Sequence, residues 1–237
     1  IVVNNTNDAS VIGLVSDAEL YAAIAPGKSI KVTAKAANSS AYGMESRGNL
    51  VMENFTANIT VSGVKAAYGL RVANTADKTL TAASLSGKMN VKAKNSDKKS
   101  GTAEACGLYV YNDINISDGI FNTWNISADG REAKAYGIKT GNGMMYMGTA
   151  PIAGKLNVTA KSTTSSEAYG ICCTTGRAPR PIRLAGITGV FTIKAAGSKT
   201  HVLAYGIYSR YGMASNGALS GNFTVEAAAG DTAKACA

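Results

Sequence analysis

A short motif that returns at a mean interval of about 32 residues constrains this chain more than any other feature. It reads Ala41-Tyr42-Gly43-Met44, Ala67-Tyr68-Gly69-Leu70, Ala105-Cys106-Gly107-Leu108 and Ala135-Tyr136-Gly137-Ile138. It continues as Ala168-Tyr169-Gly170-Ile171 and Ala204-Tyr205-Gly206-Ile207, and closes on Ala235-Cys236-Ala237. A period of this size identifies a repeat architecture, in which each unit buries its apolar face against the next.

A second pattern runs in step with the first. Ile30-Lys31-Val32-Thr33-Ala34, Ile59-Thr60-Val61-Ser62-Gly63 and Met89-Asn90-Val91-Lys92-Ala93 are followed by four further copies, beginning at Trp124, Leu156, Phe191 and Phe223. Apolar and polar residues alternate in each copy, the period-two signature of a half-buried strand. Leu85-Ser86-Gly87, Ile152-Ala153-Gly154 and Leu219-Ser220-Gly221 suggest a third, looser strand per unit. The expected fold is therefore all-β: one parallel β-helix (β-solenoid) domain over residues 1–237, with about seven coils of three short strands. Ser16 to Ala25 is the sole helix candidate, with Asp17 and Glu19 for a first turn and Pro26 as a stop. The same stretch also reads as a degenerate copy of the tyrosine motif.

Alternation assigns the faces of the motif strand. Tyr169 and Ile171 share one side, while Ala168, Gly170 and Cys172 share the other. The residue three after the tyrosine is Glu45, Arg71, Tyr109, Lys139, Cys172 or Tyr208, mostly polar, which puts the Ala/Gly side outward. Tyr42, Tyr68, Cys106, Tyr136, Tyr169 and Tyr205 are then expected as a core ladder. A bare outer Ala/Gly surface would suit a lateral contact between subunits. If the tyrosines face outward instead, they form an aromatic ladder suited to stacking on sugars.

Aromatic residues make up 7% of the chain, so the core must be mainly aliphatic; charged residues are 16%. The formal net charge is +9, and along the sequence the lysines are dispersed. Lys98-Lys99 and the Arg177, Arg180, Arg183 cluster are the dense patches. A basic exterior keeps a protein soluble and attracts polyanions. Acidic polysaccharide is the favoured polyanion, because no nucleic-acid-binding motif accompanies the charge. No apolar run is long enough to span a bilayer. The chain opens on Ile-Val-Val with no visible signal peptide, which implies a mature or trimmed product.

Cys106, Cys172, Cys173 and Cys236 lack metal-ligand spacing, so free thiols are expected and no cofactor is implied. Asp113, Asp118, Asp129, Glu132 and His201 are the candidates for a catalytic reading, but loop acids of this kind are ordinarily just solvated. Thr33, Thr60, Thr159, Thr192 and Thr224 fall on outward strand positions, in columns too irregular for an ice-binding array. Asn4, Asn38, Asn54, Asn58, Asn115, Asn125, Asn157 and Asn222 head Asn-x-Ser/Thr sequons and are candidate glycosylation sites.

The two ends resemble adjoining parts of one repeat. Ile1 to Asp8 matches Leu70 to Asp77, and Ala233 to Ala237 matches Ala133 to Gly137. Ile1, Val2 and Val3 at one end, and Ala233, Ala235, Cys236 and Ala237 at the other, are thus expected to form a head-to-tail interface.

With period, alternation and glycine turns assembled, the chain resembles the β-solenoid repeats of bacterial surface adhesins of the filamentous-haemagglutinin-like and autotransporter-passenger types. The resemblance is architectural. It implies a secreted or surface-displayed structural protein without cofactor. The expectation is an extracellular, non-enzymatic fibre built by end-to-end self-association. An adhesin fragment and a polysaccharide-active β-helix enzyme are the alternatives.

Overall fold

A computed structural model describes residues 1–6, 9–25, 28–72, 77–96, 101–174, 182–198, 201–229 and 231–237. The first coil consists of β1 (Val2–Asn5), β2 (Val11–Ser16) and β3 (Leu20–Ala23). The second consists of β4 (Ile30–Ala36), β5 (Ala41–Ser46) and β6 (Leu50–Glu53), and the third of β7 (Phe55–Gly63), β8 (Ala66–Val72) and β9 (Leu80–Ala82). The fourth holds β10 (Leu85–Lys94), β11 (Thr102–Val110) and β12 (Ile114–Ile116). In the fifth and sixth, β13 (Ile120–Thr140) and β15 (Ala153–Cys173) each run unbroken around one corner, followed by β14 (Met145–Met147) and β16 (Ile182–Leu184). The seventh holds β17 (Val190–Ala196), β18 (Val202–Ser209) and β19 (Met213–Ser215); β20 (Asn222–Ala228) and β21 (Ala233–Cys236) supply two faces of an eighth.

Every pairing between these strands is parallel, each with its counterpart one coil away. Three faces result. The long face stacks β1, β4, β7, β10, the first halves of β13 and β15, β17 and β20. The tyrosine face stacks β2, β5, β8, β11, the second halves of β13 and β15, β18 and β21. The short face stacks β3, β6, β9, β12, β14, β16 and β19. The expected all-β solenoid with a period near 32 residues is thus the observed fold.

Two local expectations change. Ser16 to Ala25 contains no helix among its described residues; Leu20–Ala23 is the first short-face strand and pairs with Leu50–Glu53. Pro26 lies outside the described residues. The first copy of the motif is Val11-Ile12-Gly13-Leu14, with Ile12 in register with Tyr42. The third strand is also elsewhere than expected. Leu85 opens the long-face strand β10, and Ile152, Ile187 and Leu219 make single bridges at its corner. The true short strands are triplets whose two outer residues are buried and whose central residue faces outward, such as Ile114-Asn115-Ile116 and Met145-Tyr146-Met147. Three residues carry too little alternation to stand out from surrounding loops.

Identical positions stack through the interior. On the long face Val32, Ile59, Met89, Trp124, Leu156, Phe191 and Phe223 form one column. Opposite them runs the glycine column of the tyrosine face. A β-carbon on Gly43 would lie 2.7 Å from Ile59 Cγ2, and one on Gly137 would lie 2.8 Å from a Leu156 methyl. Glycine here makes room for the bulky column across a narrow interior.

Candidate functional site

The tyrosine face is inverted relative to the sequence expectation. Ala41, Ala67, Ala105, Ala135, Ala168 and Ala204 belong to the solenoid interior, together with Met44, Leu70, Leu108, Ile138 and Ile171. The tyrosine column forms a separate cluster outside it: Cys106, Tyr136, Tyr169 and Cys172, with Tyr68, Tyr109, Tyr205 and Tyr208 packed against them. The expected core ladder of Tyr42, Tyr68, Cys106, Tyr136, Tyr169 and Tyr205 thus lies outside the solenoid interior, with Cys106, Tyr136 and Tyr169 buried as expected and Tyr42, Tyr68 and Tyr205 half-buried. Glycine is the physical cause. Strict alternation would send Ala and Gly to one side and Tyr and Ile to the other. The chain instead shifts phase at the glycine, where the Cα register of neighbouring coils is interrupted. Alanine and the aliphatic residue both point inward, and the tyrosine and the residue three later both point outward.

This inversion removes the lateral contact expected from a bare Ala/Gly surface, because that column is buried. Stacking of the rings on one another also takes up part of the surface that sugars would need. Tyr42 lies on Tyr68 with centroids 5.5 Å apart, Tyr136 on Tyr169 at 5.3 Å and Tyr169 on Tyr205 at 5.3 Å, all within 10° of parallel. Tyr169 thus has both ring faces covered by neighbours in the stack, and Tyr42, Tyr68, Tyr136 and Tyr205 have one each, contacts worth about 0.5–1.5 kcal/mol apiece. Cys106 interrupts the stack, and Tyr109 from the same strand packs edge-on against Tyr68 at 5.8 Å.

Charges frame the stack. Lys139 Nζ sits 3.9 Å from the centroid of Tyr136 and 3.1 Å from Glu104 Oε1. Arg71 lies over Tyr42 and Tyr68 and pairs with the buried Glu45 at 3.1 Å. Lys134 pairs with Glu167, which also accepts a hydrogen bond from Tyr169 Oη at 3.4 Å. Burial pulls the Lys139 ammonium toward neutrality, but Glu104 and, with smaller contributions, Cys106 and Cys172 together outweigh it and leave the pKa above its ordinary value. Burial pushes the Tyr68, Tyr136 and Tyr169 hydroxyls well above the usual phenol range, and nearby Glu104 or Glu167 adds to the effect. Burial also raises the Cys106 thiol, and that of Cys172 to about 12. Such thiols are poor nucleophiles. The face is a packed, charge-framed seam that holds successive coils in register.

All four cysteines are free; Cys106, Cys172 and Cys173 are buried, while Cys236 is partly exposed. A thiol reagent applied to the folded protein near neutral pH is expected to label Cys236 first and the other three only on unfolding. Prompt labelling of Cys106 would show that the seam is open.

The acidic residues do not converge. Asp113 accepts a hydrogen bond from the Met144 amide at 2.6 Å, and Glu132 lies 3.5 Å from Thr102 Oγ1. Asp118 follows β12, and Asp129 is exposed in the long-face half of β13. His201 holds φ 42° immediately before β18. Among the described residues no three His, Cys, Asp or Glu side chains gather as metal ligands. No helix of the described residues is long and apolar enough to cross a membrane.

The sequons are dispersed over the fold. Asn125 donates to Asn90 at 2.9 Å and Asn157 donates to Asn125 at 2.8 Å, so these amides form a ladder across coils. Asn38 and Asn58 donate to Thr6 and Ser29. Asn115 lies in β12, while Asn4 and Asn222 are exposed in the outermost long-face strands. Asn54 stands exposed at φ 46° between β6 and β7, in a left-handed conformation that asparagine tolerates. Lys98, Lys99, Arg177 and Arg180 lie outside the described residues.

The ends are related differently from the sequence expectation. Val2 pairs with Thr33 on the long face, whereas Leu70 belongs to the tyrosine face. Ile1 thus follows the Val32 column, and Ala237 does not lead into it in phase. The match between Ile1–Asp8 and Leu70–Asp77 is one of residue types along the chain alone. Both terminal coils nevertheless leave strand edges unpaired among the described residues. Among the described residues, Ile1, Val2, Val15, Tyr21, Met213 and Leu219 are six of the eight large apolar side chains that stand exposed, and all lie in the first coil or beyond residue 212. Ala233, Ala235 and Ala237 are exposed too, although Ala204, one coil below Ala235, is fully buried.

No protein-family model matches the chain, and neither a curated protein nor a solved structure matches it.

Proposed function

We propose that this chain is a structural element of an extracellular or cell-surface fibre, in the manner of surface adhesins, and that copies stack head to tail through their open terminal coils. The observation that carries this reading is the coincidence of unpaired parallel strand edges and uncovered apolar residues at both ends. A second copy placed on the last coil continues two faces in the same parallel sense. Its β1 follows β20, setting Ile1 beside Phe223 and Val3 beside Val225, and its β2 follows β21. The short face keeps a gap one strand wide between β19 and the second copy's β3, so the junction is weaker than a coil-to-coil contact. Each added copy lengthens the fibre by about 38 Å, one strand layer for each of β1, β4, β7, β10, β13, β15, β17 and β20 at roughly 4.8 Å per layer. A heterologous contact of this kind does not close, and so yields an open filament.

Electron microscopy and sedimentation across a concentration series test the reading. Thin unbranched fibres that lengthen with concentration are expected, and Val2→Lys, which puts a charge on the exposed side of the edge strand, is expected to leave single particles of unchanged melting temperature. Wild-type particles that stay monomeric at every concentration would overturn it.

A further inference from the structure

The fold concentrates positive charge that looks dispersed in the sequence. Outward positions of the long face carry Lys31, Lys88 and Lys155 along one flank, and Lys35, Lys92 and Lys194 along the other. Lys94 and Lys161 extend the second flank toward the corner, and all eight side chains are exposed. Two acids, Asp129 and Glu226, share the described outward positions of this face. Glu226 stands in the column of Lys194, Thr159 and Ser127, and pairs with Lys194 at 2.8 Å. Eight lysines against two acids leave a surplus of six positive charges on this face, out of +9 for the whole chain.

Between the lysine flanks runs an uncharged column: Thr33, Thr60, Asn90, Asn125, Asn157 and Thr192. It offers hydroxyl and amide groups along the solenoid axis. From the second coil to the sixth, the first flank has a lysine in every other coil, a spacing of about 9.6 Å at roughly 4.8 Å per coil. That spacing is close to the length of a disaccharide unit. It is far longer than the axial rise per phosphate on one strand of duplex DNA, about 3.4 Å. The described outward positions of these strands also carry no aromatic side chain on which bases could stack.

We infer that the long face binds an acidic polysaccharide laid along the solenoid axis, with an acidic group on alternate sugars facing the lysine flanks and sugar hydroxyls over the Thr/Asn column. This surface is separate from the terminal coils, so polysaccharide binding and fibre formation can each fail without the other.

Binding of the full chain to hyaluronan oligosaccharides, which carry a carboxylate on every second sugar, tests the inference by calorimetry at two salt concentrations. Binding that weakens with salt is expected, since the charges are exposed and screened. The double reversal Lys92→Glu with Lys155→Glu is expected to weaken it by about tenfold or more. Lys78→Glu with Arg183→Glu changes the net charge equally but lies off this face, and is expected to change binding by less than about threefold. Circular dichroism confirms that each variant is folded. Equal loss in both double variants, absent binding to hyaluronan, or equally tight binding to single-stranded DNA would each overturn the inference.

Discussion

Replacing Gly137 with alanine is expected to destabilise the fold by about 3 kcal/mol, the upper part of the range for overpacking a tight interior. The added β-carbon would lie 2.5 Å from the carbonyl oxygen of Gly170 in the next coil, and 2.8 and 2.9 Å from the two methyls of Leu156. Leucine can turn aside, but the Gly170 carbonyl is held in the ladder between coils. The same contact recurs down the column: Gly43 meets Gly69, Gly69 meets Gly107, Gly107 meets Gly137, and Gly170 meets Gly206, each at 2.4–2.7 Å. None of these glycines adopts a positive φ, so close approach of backbones, not conformational freedom, is what excludes a side chain. Chemical denaturation of Gly137→Ala and of Gly212→Ala separates the two causes. Gly212 has φ 107° and open space around it, so its variant reports backbone strain alone. A Gly137→Ala protein as stable as the parent would show that the coils can part at this level.

Raising the pH above about 10 is expected to unfold the protein cooperatively. The sign follows from the groups of the seam. Tyr68, Tyr136 and Tyr169 have pKa values raised above 10.0, and the Cys106 and Cys172 thiols are raised above 9.0, chiefly by burial. A raised value means that the folded state keeps a proton that the unfolded chain releases. Stability from these groups is thus complete below about pH 9 and is lost as the pH climbs through the unfolded values toward the folded ones. Each group contributes a slope of about 1.4 kcal/mol per pH unit. Three tyrosines and two thiols together would then remove most of a typical stability of about 5–15 kcal/mol within roughly one to two pH units above 10. Lys139 acts in the same direction, because its pKa also lies above the ordinary value. Tyrosinate absorbance and circular dichroism, followed together against pH, check this. The two signals are expected to change in one steep transition, shallower in Tyr136→Phe. Gradual tyrosine ionisation near the ordinary phenol pKa with the β signal intact would refute a sealed seam.

Much of the architecture was legible along the chain. The interval near 32 residues, and the alternation in segments such as Leu156-Asn157-Val158-Thr159-Ala160, require stacked parallel strands, because only that arrangement buries the same side of every copy. The facing of the tyrosines was not legible. Alternation assigns sides only within an unbroken strand, and the shift at each glycine puts Tyr136 and Lys139 on one side although they are three residues apart. The short face was nearly silent, since triplets such as Ile114-Asn115-Ile116 hold too few residues to show a period.

The sequence alone therefore settled that successive repeats lie over one another, through local patterns that each strand carries within itself. Tertiary structure decided which columns face solvent, and it gathered lysines as far apart in the chain as Lys31 and Lys194 onto one surface. The physical reason is that register between coils is a long-range property. It depends on how loops of unequal length bring each strand to its neighbour, and no single repeat contains that information.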